Sequence, residues 1–83
     1  MGFHMITYLR LPNVQATTGL RRTAVYRHVN LGLLPKPVRI GERASAWPEH
    51  EIAAINAARI AGKSDDEIRA LVTDLQRQRG VGA

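Results

Sequence analysis

Arg22, Thr23, Tyr26, Arg27 and Asn30 are separated by three, four and seven residues, the spacing that brings side chains onto one side of a helix. The chemistry such a ridge offers is recognition rather than bond making. An arginine guanidinium is a planar fork that fits O6 and N7 of guanine, and threonine and tyrosine hydroxyls reach phosphate oxygens. A second basic cluster follows. Lys36, Arg39 and Arg43 flank Gly41-Glu42-Arg43, a glycine turn between two short β-type segments. Cations at a hairpin tip can meet phosphates or enter the minor groove. The simpler readings are a solvated basic helix face, a hairpin that only aids solubility, and a core role for Tyr26.

Other chemistries lack their parts. His4, His28 and His50 have no metal-ligand spacing, and Glu49-His50-Glu51 lacks the second histidine of a zinc helix. Ser45 and Ser64 have no evident base, and no glycine-rich phosphate loop follows a strand. No enzyme, cofactor or metal is therefore expected. Charge agrees with a polyanionic partner. Up to Pro48, seven basic residues (Arg10, Arg21, Arg22, Arg27, Lys36, Arg39 and Arg43) face one acid, Glu42. Five basic residues face six acids thereafter, so the net charge of +5 belongs to the first part. Cysteine is absent, and no apolar run approaches the ~20 residues of a membrane span or the form of a signal peptide. A cytoplasmic, nucleoid-associated protein is expected.

The elements that must position these residues read as one small domain. Met5 offers a second start, so the four residues before it are set aside. Pro12 suits the first turn of a helix over about Pro12 to Thr17, with Val14 and Ala16 inward and Gly19 in the turn. A second helix, from Arg21 to Asn30, buries Val25 and Val29 with Leu20 and Leu31 beside them. Gly32 and Pro35-Lys36-Pro37 end it. Val38 to Ile40 and Ala44 to Trp47 form a hairpin, with Trp47 as a core anchor. A third helix runs from Pro48 to Ile60. Ser64 and Glu67 make a capping box for a fourth from near Asp65, whose stripe is Ile68, Leu71, Val72 and Leu75. From Gln76 onward the tail is expected to fray. Residues 1–62 thus form the DNA-binding unit, and 63–83 add a helix and tail to the same domain.

Carried by Leu11-Pro12, Thr18-Gly19-Leu20, Tyr26-Arg27, Gly32, Pro35-Lys36-Pro37, Gly41-Glu42-Arg43 and Trp47, the stretch from about Tyr8 to Ile60 resembles the AlpA family of small phage and prophage regulators. These are relatives of excisionase and MerR-type winged helices. The resemblance implies a mainly α fold with a small β-hairpin, a winged helix-turn-helix with an additional C-terminal helix. It implies a sequence-specific duplex-DNA binder that regulates prophage or mobile-element genes, or an excisionase that bends attachment-site DNA. The matched recognition residues are Arg22, Thr23, Tyr26 and Arg27, and the matched wing residues are Lys36, Arg39 and Arg43. Arg21 stands where relatives often have a capping serine, so it weakens the cap and adds charge toward DNA. Ile55 and Asn56 stand where relatives often carry tryptophan and leucine, so that end of the third helix is expected to bury less core, with the fourth helix compensating.

A different class remains open, a protein-interaction adaptor that uses the apolar stripe of the fourth helix. That stripe could instead close the core or form a dimer. Expected partners are double-stranded DNA, a second copy or a cooperative array on DNA, and an integrase or RNA polymerase, without a membrane.

Overall fold

A computed structural model describes residues 5–81. His4 and the last two residues of the expected fray lie outside them. The order is β1 (Tyr8–Leu9), α1 (Leu11–Thr18), α2 (Arg22–Asn30), β2 (Val38–Arg39), β3 (Ser45–Pro48), α3 (Glu49–Ile60) and α4 (Asp65–Val81).

Pro12 sits in the first turn of α1, where its missing N–H costs no helical bond. Gly19 ends the helix at φ 76°, and its N–H returns to the Gln15 carbonyl at 2.8 Å. A Cβ there would meet nothing within 4 Å, so glycine is required by the left-handed backbone rather than by space. Only Leu20 and Arg21 separate Gly19 from the start of α2.

The sheet has three antiparallel strands in the order β1-β3-β2. Beyond the expected hairpin, Tyr8 pairs with Pro48 and Leu9 with Trp47, which stitches the chain's start to the wing. On the other edge Val38 faces Ala46 and Arg39 faces Ser45.

Between the layers lie Val14, Val25, Leu34, Trp47, Ile52 and Ile68, all essentially inaccessible. Each such aliphatic burial stabilises by about 1.5–3 kcal/mol. Trp47 is 1% exposed, and its indole N–H donates to the Pro35 carbonyl at 2.8 Å, so the ring is buried without an orphaned donor. Two inward assignments are corrected. Ala16 and Leu31 are exposed, because α1 buries only the Val14 side and the chain has left α2 at Leu31. At α3, Ile55 is buried after all, and the Asn56 amide donates to the Thr17 carbonyl at 2.9 Å, tying α3 to the end of α1.

The stripe of α4 is in this core: Ile68, Val72 and Leu75 are buried and Leu71 packs against them. It is therefore not an unpartnered docking face. The capping box forms in both directions, Glu67 N–H to Ser64 Oγ at 3.1 Å and Ser64 N–H to Glu67 Oε1 at 3.0 Å. Hydrogen bonding to the carboxylate from Ser64, by its backbone N–H first and its side chain second, holds the Glu67 carboxyl below its usual range. The expected fray from Gln76 is corrected: the helix continues to Val81, because Gln76 and Arg79 have tertiary partners. Among the described residues, no helix is long and apolar enough to cross a membrane.

Candidate nucleic-acid interface

Burying Val25 turns the opposite side of α2 outward, and Arg22, Thr23, Tyr26, Arg27 and Asn30 are all exposed there. Arg21 is the residue before the helix, extended at φ −75° and ψ 161°, and it makes no side-chain cap bond. The first turn of α2 also contains no acid. Its N–H groups and the positive end of its dipole therefore lack an internal anion, a setting that favours phosphate.

The wing stands beside this helix. Tyr26 of α2 and Trp47 of β3 have ring centroids 6.3 Å apart at 54°, so the edge of this polar ridge leans on the buried root of the wing. Tyr26 keeps 42% of its surface exposed. The two readings of this residue thus merge: one part of the ring packs, and much of the rest is open to a ligand. Out on the wing, Arg39 donates to the Glu42 carbonyl at 2.6 Å, and Ile40 N–H meets the Ala44 carbonyl at 2.9 Å. These bonds brace the tip that carries Arg43. Lys36 and Arg43 are exposed.

Pairing separates the cations further than composition could. Arg59, Lys63, Arg69, Arg77 and Arg79 each pair with a carboxylate: Asp65, Glu67, Asp66, Asp74 and Glu51 respectively. Among the described residues, none of Arg10, Arg21, Arg22, Arg27, Lys36, Arg39 and Arg43 does so. The basic surface around α2 and the wing is internally uncompensated. His28, on the inward flank of α2, is kept below its ordinary pKa by burial and then by the charges of Arg59 and Arg27, with Asp65 acting in the opposite sense.

Several residues behind this surface escape sequence reasoning. Glu51 is 1% exposed and receives a forked bond from Arg79, Nε to Oε2 at 2.9 Å and Nη2 to Oε1 at 2.5 Å. Read locally, Glu51 is only a first-turn acid of α3. Arg69 Nε donates to the Leu31 carbonyl at 2.8 Å, just past the end of α2. No local spacing signals either contact.

A helix, a glycine turn, an outward-facing second helix and a sheet-rooted hairpin together define a winged helix-turn-helix protein. Residues 7–59 match the family described as prophage CP4-57 regulatory protein (AlpA), and the chain belongs to that family. It is also 38% identical over 56 residues to the uncharacterized protein ORF88 of Enterobacteria phage P4. That alignment covers 68% of this chain and 64% of the phage protein, less than two thirds of the relative's length. No solved structure matches. The family match ends before α4, so Gln76 and Arg79 lie outside it.

Proposed function

We propose that this chain is a sequence-specific double-stranded DNA-binding protein that regulates prophage or mobile-element genes. The observation that carries the reading is the cluster of exposed cations on α2 and the wing that pair with no carboxylate, in a chain whose other basic residues are all paired. In this reading Arg22 and Arg27, with Thr23 and Tyr26 beside them, meet base edges and phosphates in the major groove. Arg21 and the bare start of α2 take a phosphate, and Lys36, Arg39 and Arg43 hold the backbone alongside. Promoter control and excision share this binding step. The adaptor alternative loses its surface, since the α4 stripe is in the core.

Duplex-DNA affinity measured across a salt series tests the reading. With roughly four to six phosphates neutralised, log affinity against log salt falls with a slope near −4 to −5. A flat dependence would sink it.

A further inference from the structure

The connection between α2 and the wing runs from Leu31 to Pro37, and α4 holds it at both ends. At one end Arg69 donates to the Leu31 carbonyl at 2.8 Å. At the other, both backbone groups of Lys36 are taken by α4 side chains: its N–H by Gln76 Oε1 at 2.8 Å and its carbonyl by Arg79 Nη2 at 2.8 Å. Residue 35 is fixed as well, through the Trp47 bond to its carbonyl. Pro35 and Pro37 have locked φ angles, so little torsional freedom remains in the segment that delivers the chain to β2.

Arg69, Gln76 and Arg79 follow one another at intervals of seven and three residues, so they lie along a single side of α4. Arg79 is in turn immobilised by the buried Glu51 carboxylate, which makes one guanidinium span α3, α4 and the connection. A planar fork held by a carboxylate loses little further freedom when it takes a third acceptor.

We infer that Gln76 and Arg79 are positioning residues, which set the wing against the recognition helix by gripping the backbone of Lys36. The inference rests on the DNA-binding reading above. Helix and wing must engage one duplex at the same time, and two linked contacts reinforce each other only when their spacing fits the target. Without the grip, the wing remains folded but its cations no longer arrive in register with those of α2. Neither residue touches DNA in this account.

Arg79→Ala would leave Glu51 buried and unpaired and can unfold the domain, so Gln76→Met carries the test. Methionine matches the length and helix propensity of glutamine, replaces the amide that accepts from Lys36 N–H with an apolar thioether, and strands no buried charge. The full chain is titrated against a duplex enriched from a random-sequence library by the wild type. Gln76→Met is expected to weaken binding about tenfold, the loss of coupling between two linked contacts. Arg43→Ala should then cost much less in the Gln76→Met background than in the wild type, because the wing has already lost its register. Unchanged affinity in Gln76→Met, or losses that simply multiply, would overturn the inference.

Amide hydrogen exchange supplies an arm that needs no DNA. In Gln76→Met, exchange should quicken at Lys36 and through the wing while the α3 amides keep their protection. Wing amides unchanged from the wild type would also overturn the inference. A wild type that binds no duplex yet shows the exchange result would defeat the DNA reading and leave the mechanical coupling standing.

Discussion

The segment from α1 to the wing and the α3–α4 pair are both rich in arginine, yet they treat their charges and helix ends in opposite ways. In α3 and α4 the first turns carry Glu49 and Glu51, or Asp65, Asp66 and Glu67, and a reciprocal capping box closes the start of α4. Their basic side chains are answered by carboxylates. In α1 and α2 there is no acid in the first turn, the residues preceding the helices are Arg10 and Arg21, and neither makes a side-chain cap bond. The same residue type serves two ends. Among the compensated arginines, Arg69 and Arg79 also tie α4 to the segment after α2, whereas the uncompensated ones keep positive potential at the surface, where it is available to a polyanion.

The largest effect that could sharpen this contrast is at the Glu51–Arg79 pair. Arg79→Ala leaves a carboxylate uncompensated in the core and is expected to cost about 3–5 kcal/mol of stability. Urea unfolding measures it. A cost below ~1 kcal/mol would place this arginine with the surface pairs and dissolve the distinction between the two regions. Arg22→Ala should show the reverse profile. Its stability change should stay within about 0.5 kcal/mol, as for exposed substitutions, while binding weakens by about 1–3 kcal/mol and discrimination between sequences relaxes. Arg43→Ala should weaken all sequences alike and lower the salt slope by about one. If Arg22→Ala reduced stability and left binding intact, α2 would belong with the scaffold.

How much of this was legible beforehand depended on the range over which the signal acts. Val25 and the ridge from Arg22 to Asn30 follow one helical period, and Ser64 and Glu67 satisfy each other across three residues, so both were readable from spacing. The glycine turn at Gly19 and the hairpin around Gly41 were similarly local. The pairing of Tyr8 with Pro48 joins a strand of two residues to one forty positions away, too short for any periodicity. Gln76 and Arg79 escape local patterning for a related reason. Apolar patterning ends at Leu75, and it cannot register a helix extended by polar contacts to Lys36 and Glu51. For the candidate site, charge segregation located the basic surface. The absence of carboxylate partners there emerges only when side chains are placed in space.

Arg21 offers a smaller and more pointed test, because it lies where the two designs meet at one residue. Serine at this position would supply the side-chain acceptor that α2 lacks, and a good cap is worth about 1 kcal/mol. Arg21→Ser is therefore expected to raise the melting temperature and simultaneously weaken DNA binding, lowering the salt slope by about one if Arg21 meets a phosphate. Thermal melts and a salt series on the same variant check both signs. A gain in stability with unchanged binding would leave the bare helix start unexplained by an anionic ligand.

The smallest effect concerns His28, at the seam between the regions. It lines a groove of about 390 Å³ with Leu20, Asn56 and Arg59. Burial, then the charges of Arg59 and Arg27, lower its pKa from the ordinary 6.5. The unfolded chain, lacking that environment, takes up the proton at higher pH than the folded one. Stability from this residue is therefore present above about pH 6.5 and is lost as the pH falls through the lower folded value. The Glu67 carboxyl, also lowered, acts in the more acidic range below its ordinary 4.5 and does not overlap the onset of the histidine effect. Urea unfolding at pH 7.5 and 5.5 should show a loss in the wild type that shrinks in His28→Gln. The difference between wild type and variant isolates His28, whose neighbours Arg59 and Arg27 repel the imidazolium. An equal loss in the variant would mean that burial at the seam and the charges of Arg59 and Arg27 together do not set the pH dependence of stability.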